Sequence, residues 1–162
     1  MNFRRNVEFF CLLGLLGAGE VGWTEGGVVQ NGLQLELVPL QEEFILGQPM
    51  KFRLEVINRK EEPVKVAYTA DDIQGDDFLV YGPEDFQVVY KGSGEYPAKD
   101  FTLHVAGRSR KVLIHARDLN KEYSIGSPGR YTVQYVQKIW DHTSTQFPPS
   151  NTVEISILKS KE

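Results

Sequence analysis

The chain has 162 residues, of which 41% are hydrophobic and 25% charged, a balance that supports one packed core and excludes disorder, collagen-like repeats and a membrane-spanning bundle. Its net charge of -4, from 18 basic and 22 acidic side chains, lacks the basic excess that neutralising a phosphate backbone requires, which excludes nucleic acid as a partner class.

In chain order, Arg4 and Arg5 precede the apolar run Phe9 to Leu16, and the small residues Gly17, Ala18 and Gly19 follow. Residues 1–19 therefore read as a secretory signal peptide, with an apolar run far shorter than the roughly 20 residues that cross a bilayer. Export places the remainder in a secreted or cell-envelope (periplasmic or extracellular) setting. Cys11, the only cysteine, falls inside this leader, so the mature domain is expected to hold by packing without disulfides or thiolate chemistry. The bulky Phe9 and Phe10 ahead of it do not suit lipid attachment. Residues 20–32, with Gly22, Gly26, Gly27 and Gly32, read as a Gly-rich joint, and the domain is expected over 33–159.

From Leu33 onward apolar and polar residues alternate with a period of two, the strand signal. Leu33, Leu35 and Leu37 form one such series; after the turn at Gly47-Gln48-Pro49, Phe52, Leu54, Val56 and Asn58 form the next. Arg59 to Glu62 with Pro63 reads as a turn into Val64, Val66 and Tyr68. Further strands are expected at Phe78 to Tyr81, Phe86 to Tyr90, Phe101 to Val105, Lys111 to His115, Arg130 to Gln137 and Thr152 to Leu158. Turn residues separate them at Gly82-Pro83, Gly92-Ser93-Gly94, Gly107 and Ser127-Pro128-Gly129. No window sustains a helical period. About seven to nine short strands at this spacing predict an all-β protein, an immunoglobulin-like antiparallel β-sandwich.

Gly129-Arg130-Tyr131-Thr132-Val133 puts a tyrosine at the start of a strand just after a turn. It is similar to the tyrosine corner of immunoglobulin-like sandwiches, where the hydroxyl returns to backbone a few residues upstream. The alternative is an ordinary half-buried strand tyrosine, and both readings are structural.

Four segments, taken in order, carry a family resemblance: Phe52-Arg53-Leu54-Glu55-Val56-Ile57-Asn58, Gly75-Asp76-Asp77-Phe78, Ser124 to Val133, and Ser150-Asn151-Thr152-Val153. Together they resemble the non-catalytic β-sandwich domain that precedes the protease domain in deuterolysin-like peptidyl-Lys metallopeptidases. Those peptidases hold zinc through a His-Glu-x-x-His helix. Here the histidines are His104, His115 and His142, none spaced as a ligand pair, so the resemblance carries over no peptidase activity. It implies an accessory domain that binds a peptidase, another polypeptide or a surface partner.

The remaining candidates are weighed against plainer readings. Asp71, Asp72, Asp76, Asp77, Glu84 and Asp85 concentrate carboxylates as calcium sites do, but not in EF-hand order, and solvated loop charge accounts for them. Ser156-Ile157-Leu158-Lys159 matches Ser-x-x-Lys only formally, because that motif needs a helical turn and here falls on a strand. No catalytic residue, metal site or cofactor is expected.

Gln137 to Ser150 is the most informative stretch, because hairpin loops usually take about two to five residues. Lys138, Trp140, Asp141, His142 and Phe147 within it are the expected partner-binding residues, aromatic area beside a positive charge being suited to protein capture. The alternative is that Trp140 and Phe147 fold back as a lid on the sandwich. The sequence thus predicts an exported, non-catalytic protein-binding module, with a protease inhibitor acting through end loops as the second reading.

Overall fold

A computed structural model describes residues 22–23, 27–69, 77–92, 100–138 and 145–160. The chain is an all-β sandwich built of antiparallel sheets, as the alternating pattern predicts. Strands β1 (Gly22–Trp23), β2 (Val29–Gln30), β3 (Leu33–Pro39), β4 (Phe44–Ile45) and β5 (Lys51–Asn58) open the fold. β6 (Val64–Thr69), β7 (Phe78–Tyr81), β8 (Asp100–Val105) and β9 (Arg110–Asp118) follow. A one-turn helix, α1 (Leu119–Glu122), then leads to β10 (Gly129–Tyr135) and β11 (Val153–Leu158).

One sheet runs β2-β3-β5-β9 and the other β1-β11-β10-β7, both antiparallel. After β3 the chain leaves the first sheet, and β4 joins the second by pairing in parallel with β11. β6 and β8 form a separate two-stranded ribbon. The inward series meet between the sheets: Leu35, Leu37, Leu54 and Val56 from one, Val80, Val133, Val153, Ile155 and Ile157 from the other. Phe44 stacks on Phe52 at 5.5 Å, closing the end where β4 changes sheets.

The described residues depart from the expected elements in two places. Within the Gly-rich stretch 20–32, read as a joint, the described residues also take part in the sheets: β1 pairs with β11 and β2 forms a hairpin with β3. The missed signal is Asn31-Gly32, whose φ values of 52° and 80° form the two-residue turn that matches strand twist. Phe86 to Tyr90 is not a continuous strand; it makes isolated bridges, Tyr81 to Gln87 and Tyr90 to Tyr123. Glu84 and Asp85 take φ of 61° and 58°, turning the chain so that this segment crosses the side of the sandwich instead of extending a sheet. Asp118 caps α1, accepting the N–H groups of Asn120 and Met50, a single helical turn in keeping with the absence of a sustained helical period. The expected leader, residues 1–19, lies outside the described residues.

Where strands end, side chains continue the hydrogen-bond ladder. Asn151, just ahead of β11, accepts the N–H of Leu37 on Oδ1 at 2.7 Å and donates from Nδ2 to the same residue's carbonyl at 3.2 Å. Ser150 Oγ accepts Tyr135 N–H at 2.9 Å, while Ser150 N–H donates to Tyr135 O at 3.0 Å. Asn58 Nδ2 reaches the carbonyls of Glu62, Val105 and Ala106, and its Oδ1 accepts Lys60 N–H. The Tyr131 hydroxyl donates to Ser127 O at 2.7 Å, which is the tyrosine-corner geometry.

Asn151→Ala removes both partners of a buried backbone pair and is expected to cost about 2–6 kcal/mol in urea unfolding, since each stranded group costs about 1–3 kcal/mol. Tyr131→Phe, which deletes one hydroxyl bond, is expected to cost about 1 kcal/mol. Equal, negligible effects would show that packing alone joins the sheets.

Candidate functional site

The expected partner-binding residues fall on a loop whose neck is fixed. Gln137 Oε1 accepts Phe147 N–H at 2.8 Å, and its Nε2 donates to Thr145 O at 3.4 Å, so one side chain clamps the outgoing limb to the returning one. Thr145 also latches onto β6: its N–H donates to Ala67 O at 2.6 Å, and its Oγ1 accepts Ala67 N–H at 3.0 Å. Trp140, Asp141 and His142 lie outside the described residues.

Phe147 departs from its expected role. It is 4% exposed, belongs to the core, and meets Tyr68 edge-on at 6.5 Å. Tyr68 in turn stacks on Phe101 at 5.4 Å. A ring this enclosed offers no contact area to a partner; it anchors the loop, as the fold-back alternative has it. Lys138 sits on the opposite limb, exposed, with its backbone N–H held by Asp77 Oδ1 at 3.0 Å. The structure therefore separates Lys138 from Phe147, and places the lysine on a different feature.

That feature is a cleft of about 250 Å³ on the side of the sandwich, lined by Phe78, Gln87, Val88, Val89, Tyr90, Tyr123 and Lys138. The segment that crosses there is tied to β7 on one side and to α1 and the residues that follow it on the other. Val88 N–H donates to Val80 O and Gly82 N–H to Phe86 O on the β7 side; Lys91 N–H donates to Glu122 O and Ser124 N–H to Val89 O on the other. Tyr123 is buried, donates its hydroxyl to Phe78 O, and meets Tyr90 edge-on at 5.4 Å, forming the cleft floor. Val88 turns into the core, whereas Val89 is 62% and Phe86 69% exposed. Exposed apolar residues are ordinary when scattered; here two large ones share a segment fixed at both margins beside a cleft.

A scan against protein-family models finds no match, and a search of curated proteins finds no similar chain. Assignment of a role therefore rests on the residues themselves.

Sequence reasoning missed Phe86, Gln87, Val89, Tyr90 and Tyr123. A signal was present: Val88-Val89 breaks the alternation of Phe86 to Tyr90, as expected when adjacent residues face core and solvent across a twist. The histidines gather no site: His104 and His115 are exposed on strands, and His142 lies outside the described residues. Of the acidic series, Asp71, Asp72 and Asp76 lie outside the described residues, and Asp77 is buried, holding the backbone of Lys138. Among the described residues no group of three metal-ligating side chains forms.

Phe147→Ala is expected to destabilise the fold by about 3–5 kcal/mol, the usual cost of emptying an aromatic core site. Phe86→Ser is expected to change stability by less than about 0.5 kcal/mol, and thermal or urea unfolding separates the two. Burial also raises the Tyr68 hydroxyl above its ordinary value of 10.0. Because the folded value exceeds the unfolded one, neutral Tyr68 contributes stability below about pH 10 that is lost as pH rises through the folded value. Wild type is thus expected to lose stability more steeply than Tyr68→Phe between about pH 9 and pH 11; parallel curves would show that Tyr68 ionises as freely in the folded state.

Proposed function

We propose that this chain is an exported, non-catalytic module that binds another polypeptide through the side of its sandwich around Phe86 and Val89. The observation that carries the reading is the exposure of these two apolar side chains on a segment whose backbone is bonded to β7 on one side and to α1 and the residues after it on the other. A surface held this way loses little conformational entropy on binding, which is what makes fixed apolar anchors effective. The leader-like residues 1–19 support export, and the resemblance to a peptidase accessory domain supports a polypeptide partner.

The site moves the reading away from the tip of Gln137 to Ser150. Phe147 serves the core, and only Lys138 of the two described candidates reaches the cleft. Function must be argued from such a site, since the sandwich itself hosts many roles.

Affinity capture from envelope and secreted fractions, with wild type and a Phe86→Ser, Val89→Ser double variant as paired baits, tests this reading. A partner held by wild type and lost by the variant is the expected result. Equal retention on both baits removes this surface from the account. A captured peptidase that loses activity at near-equimolar ratio selects the inhibitor form of the module.

A further inference from the structure

Among the large apolar side chains that the described residues expose, Val28 and Val29 form one pair and Phe86 and Val89 another. The charges beside the two pairs are opposite. Val29 pairs with Gln34 across the β2–β3 hairpin, and Gln34 Oε1 accepts Arg59 Nε at 2.7 Å. Because Gln34 is neutral, Arg59 keeps its full charge beside the valines. Lys60 follows, its chain laid across Gly32, where a Cβ would lie 2.5 Å from it. In the same turn Glu61 is matched by Arg108 at 3.2 Å, so Arg59 and Lys60 outnumber the remaining acid, Glu62. At the other pair the sign reverses. Pro83 to Gln87 are all exposed, and Gly82 N–H donating to Phe86 O at 2.8 Å closes the loop that displays Glu84 and Asp85 beside Phe86. Arg130, next to the Gly129 that packs on Pro83, is taken by Glu154 at 3.1 Å, and Lys91 is held through its N–H at the α1 margin. The two pairs stand at opposite ends of the sandwich: Tyr81 leads into the loop where β10 opens opposite Ile157 and β4 joins β11, whereas the Asn31-Gly32 turn precedes β3.

Resting on the polypeptide-binding reading above, we propose that the polypeptide taken by the Phe86 surface is a second copy of this chain, met through that copy's Val28-Val29 end. Phe86 and Val89 set against Val28 and Val29 remove apolar surface from water on both sides, and Glu84 and Asp85 face Arg59 and Lys60. Contact between like ends would set carboxylates against carboxylates or cations against cations, so charge selects unlike ends. Such a contact builds an open chain unless two copies lie antiparallel about a twofold and satisfy both ends at once. The charged groups are exposed, so each pair contributes modestly and weakens with salt, while apolar burial contributes most of the affinity.

Sedimentation velocity of the purified chain over concentration and salt, with two charge-reversed variants, tests the inference. Glu84→Lys, Asp85→Lys makes both ends positive, and Arg59→Glu, Lys60→Glu makes both negative. Wild type is expected to gain weight-average mass as its concentration rises to about 1 mM, and to lose it again when salt is raised about tenfold. Each variant alone is expected to associate about tenfold more weakly. An equal mixture of the two is expected to return to within about threefold of wild type, because every unlike contact between them again joins opposite charges. Phe86→Ser, Val89→Ser is expected to weaken association about tenfold or more. If loss of the Arg59 to Gln34 bond unfolds one variant, Lys60→Glu alone takes its place in the mixture. A single species of twice the chain mass supports the twofold form and a ladder of species supports the open chain. A wild type that stays monomeric at millimolar concentration, or a mixture that associates no more tightly than its components, overturns the inference. If the chain stays monomeric while the Phe86, Val89 bait still loses a captured partner, the polypeptide-binding reading stands and only the second copy is excluded. If the chain stays monomeric and both baits retain partners equally, both readings fall.

Discussion

Asn151 joins the two sheets through backbone. Its carboxamide faces Leu37 as a strand residue would, one oxygen accepting and one nitrogen donating, although Asn151 leads into one sheet and Leu37 belongs to the other. The join is crowded as well as bonded: a Cβ placed on Gly27 would lie 2.6 Å from Asn151 N and 2.8 Å from Leu35 O. The chain therefore passes there only as glycine, pinched between the outer edge of β3 and the approach to β11. In a sandwich whose described residues include no cysteine, this contact takes the place that an inter-sheet disulfide holds in antibody domains. Without it, hydrophobic packing would fix the sheets' separation but leave their register to slide.

The same device recurs wherever a strand stops. Ser150 extends the β10–β11 ladder, Asp77 holds Val136 and Lys138, Thr145 pairs with Ala67, and Asn58 ties a turn to the end of β8. Buried polar groups must be bonded, and these side chains bond backbone that has run out of neighbouring strand. Asn58, Asp77, Tyr131, Ser150 and Asn151 thus serve the fold rather than a site.

Alternation made most of the sandwich legible. Leu33 to Leu37, Phe52 to Asn58 and Phe78 to Tyr81 each show inward residues at every second position, and each forms a strand there. The site was much less legible, because its residues meet only through tertiary contacts. Tyr123 and Tyr90 are far apart in sequence and meet across a bridge that no local pattern announces. Phe147 looked like a binding aromatic because loop composition suggests exposure; its burial depends on Gln137 and Thr145 drawing the returning limb onto β6. Lys138 is legible as a candidate from its loop, whereas its neighbours in the cleft, Gln87, Tyr90 and Tyr123, lie far away in sequence.

This division of labour constrains where recognition can reside. Among the described residues, Asn58, Asp77, Thr145, Ser150 and Asn151 engage backbone, and Glu55, buried on the outer face of its sheet, is matched by Arg53 at 2.8 Å and Arg110 at 3.0 Å. Groups fixed in this way are costly to recruit for a partner, because leaving a buried donor or acceptor unmatched costs more than a new surface bond returns. The crossing segment is different. Its backbone is already satisfied on both margins, so its outward side chains contribute little to the fold and are available for contact. Val88 and Val89 divide that work between adjacent residues, one completing the core and the other facing solvent beside Tyr90. The strand ends and the crossing segment are fixed by the same means, backbone bonded to side chain or backbone, and on the crossing segment Phe86 and Val89 are left facing solvent.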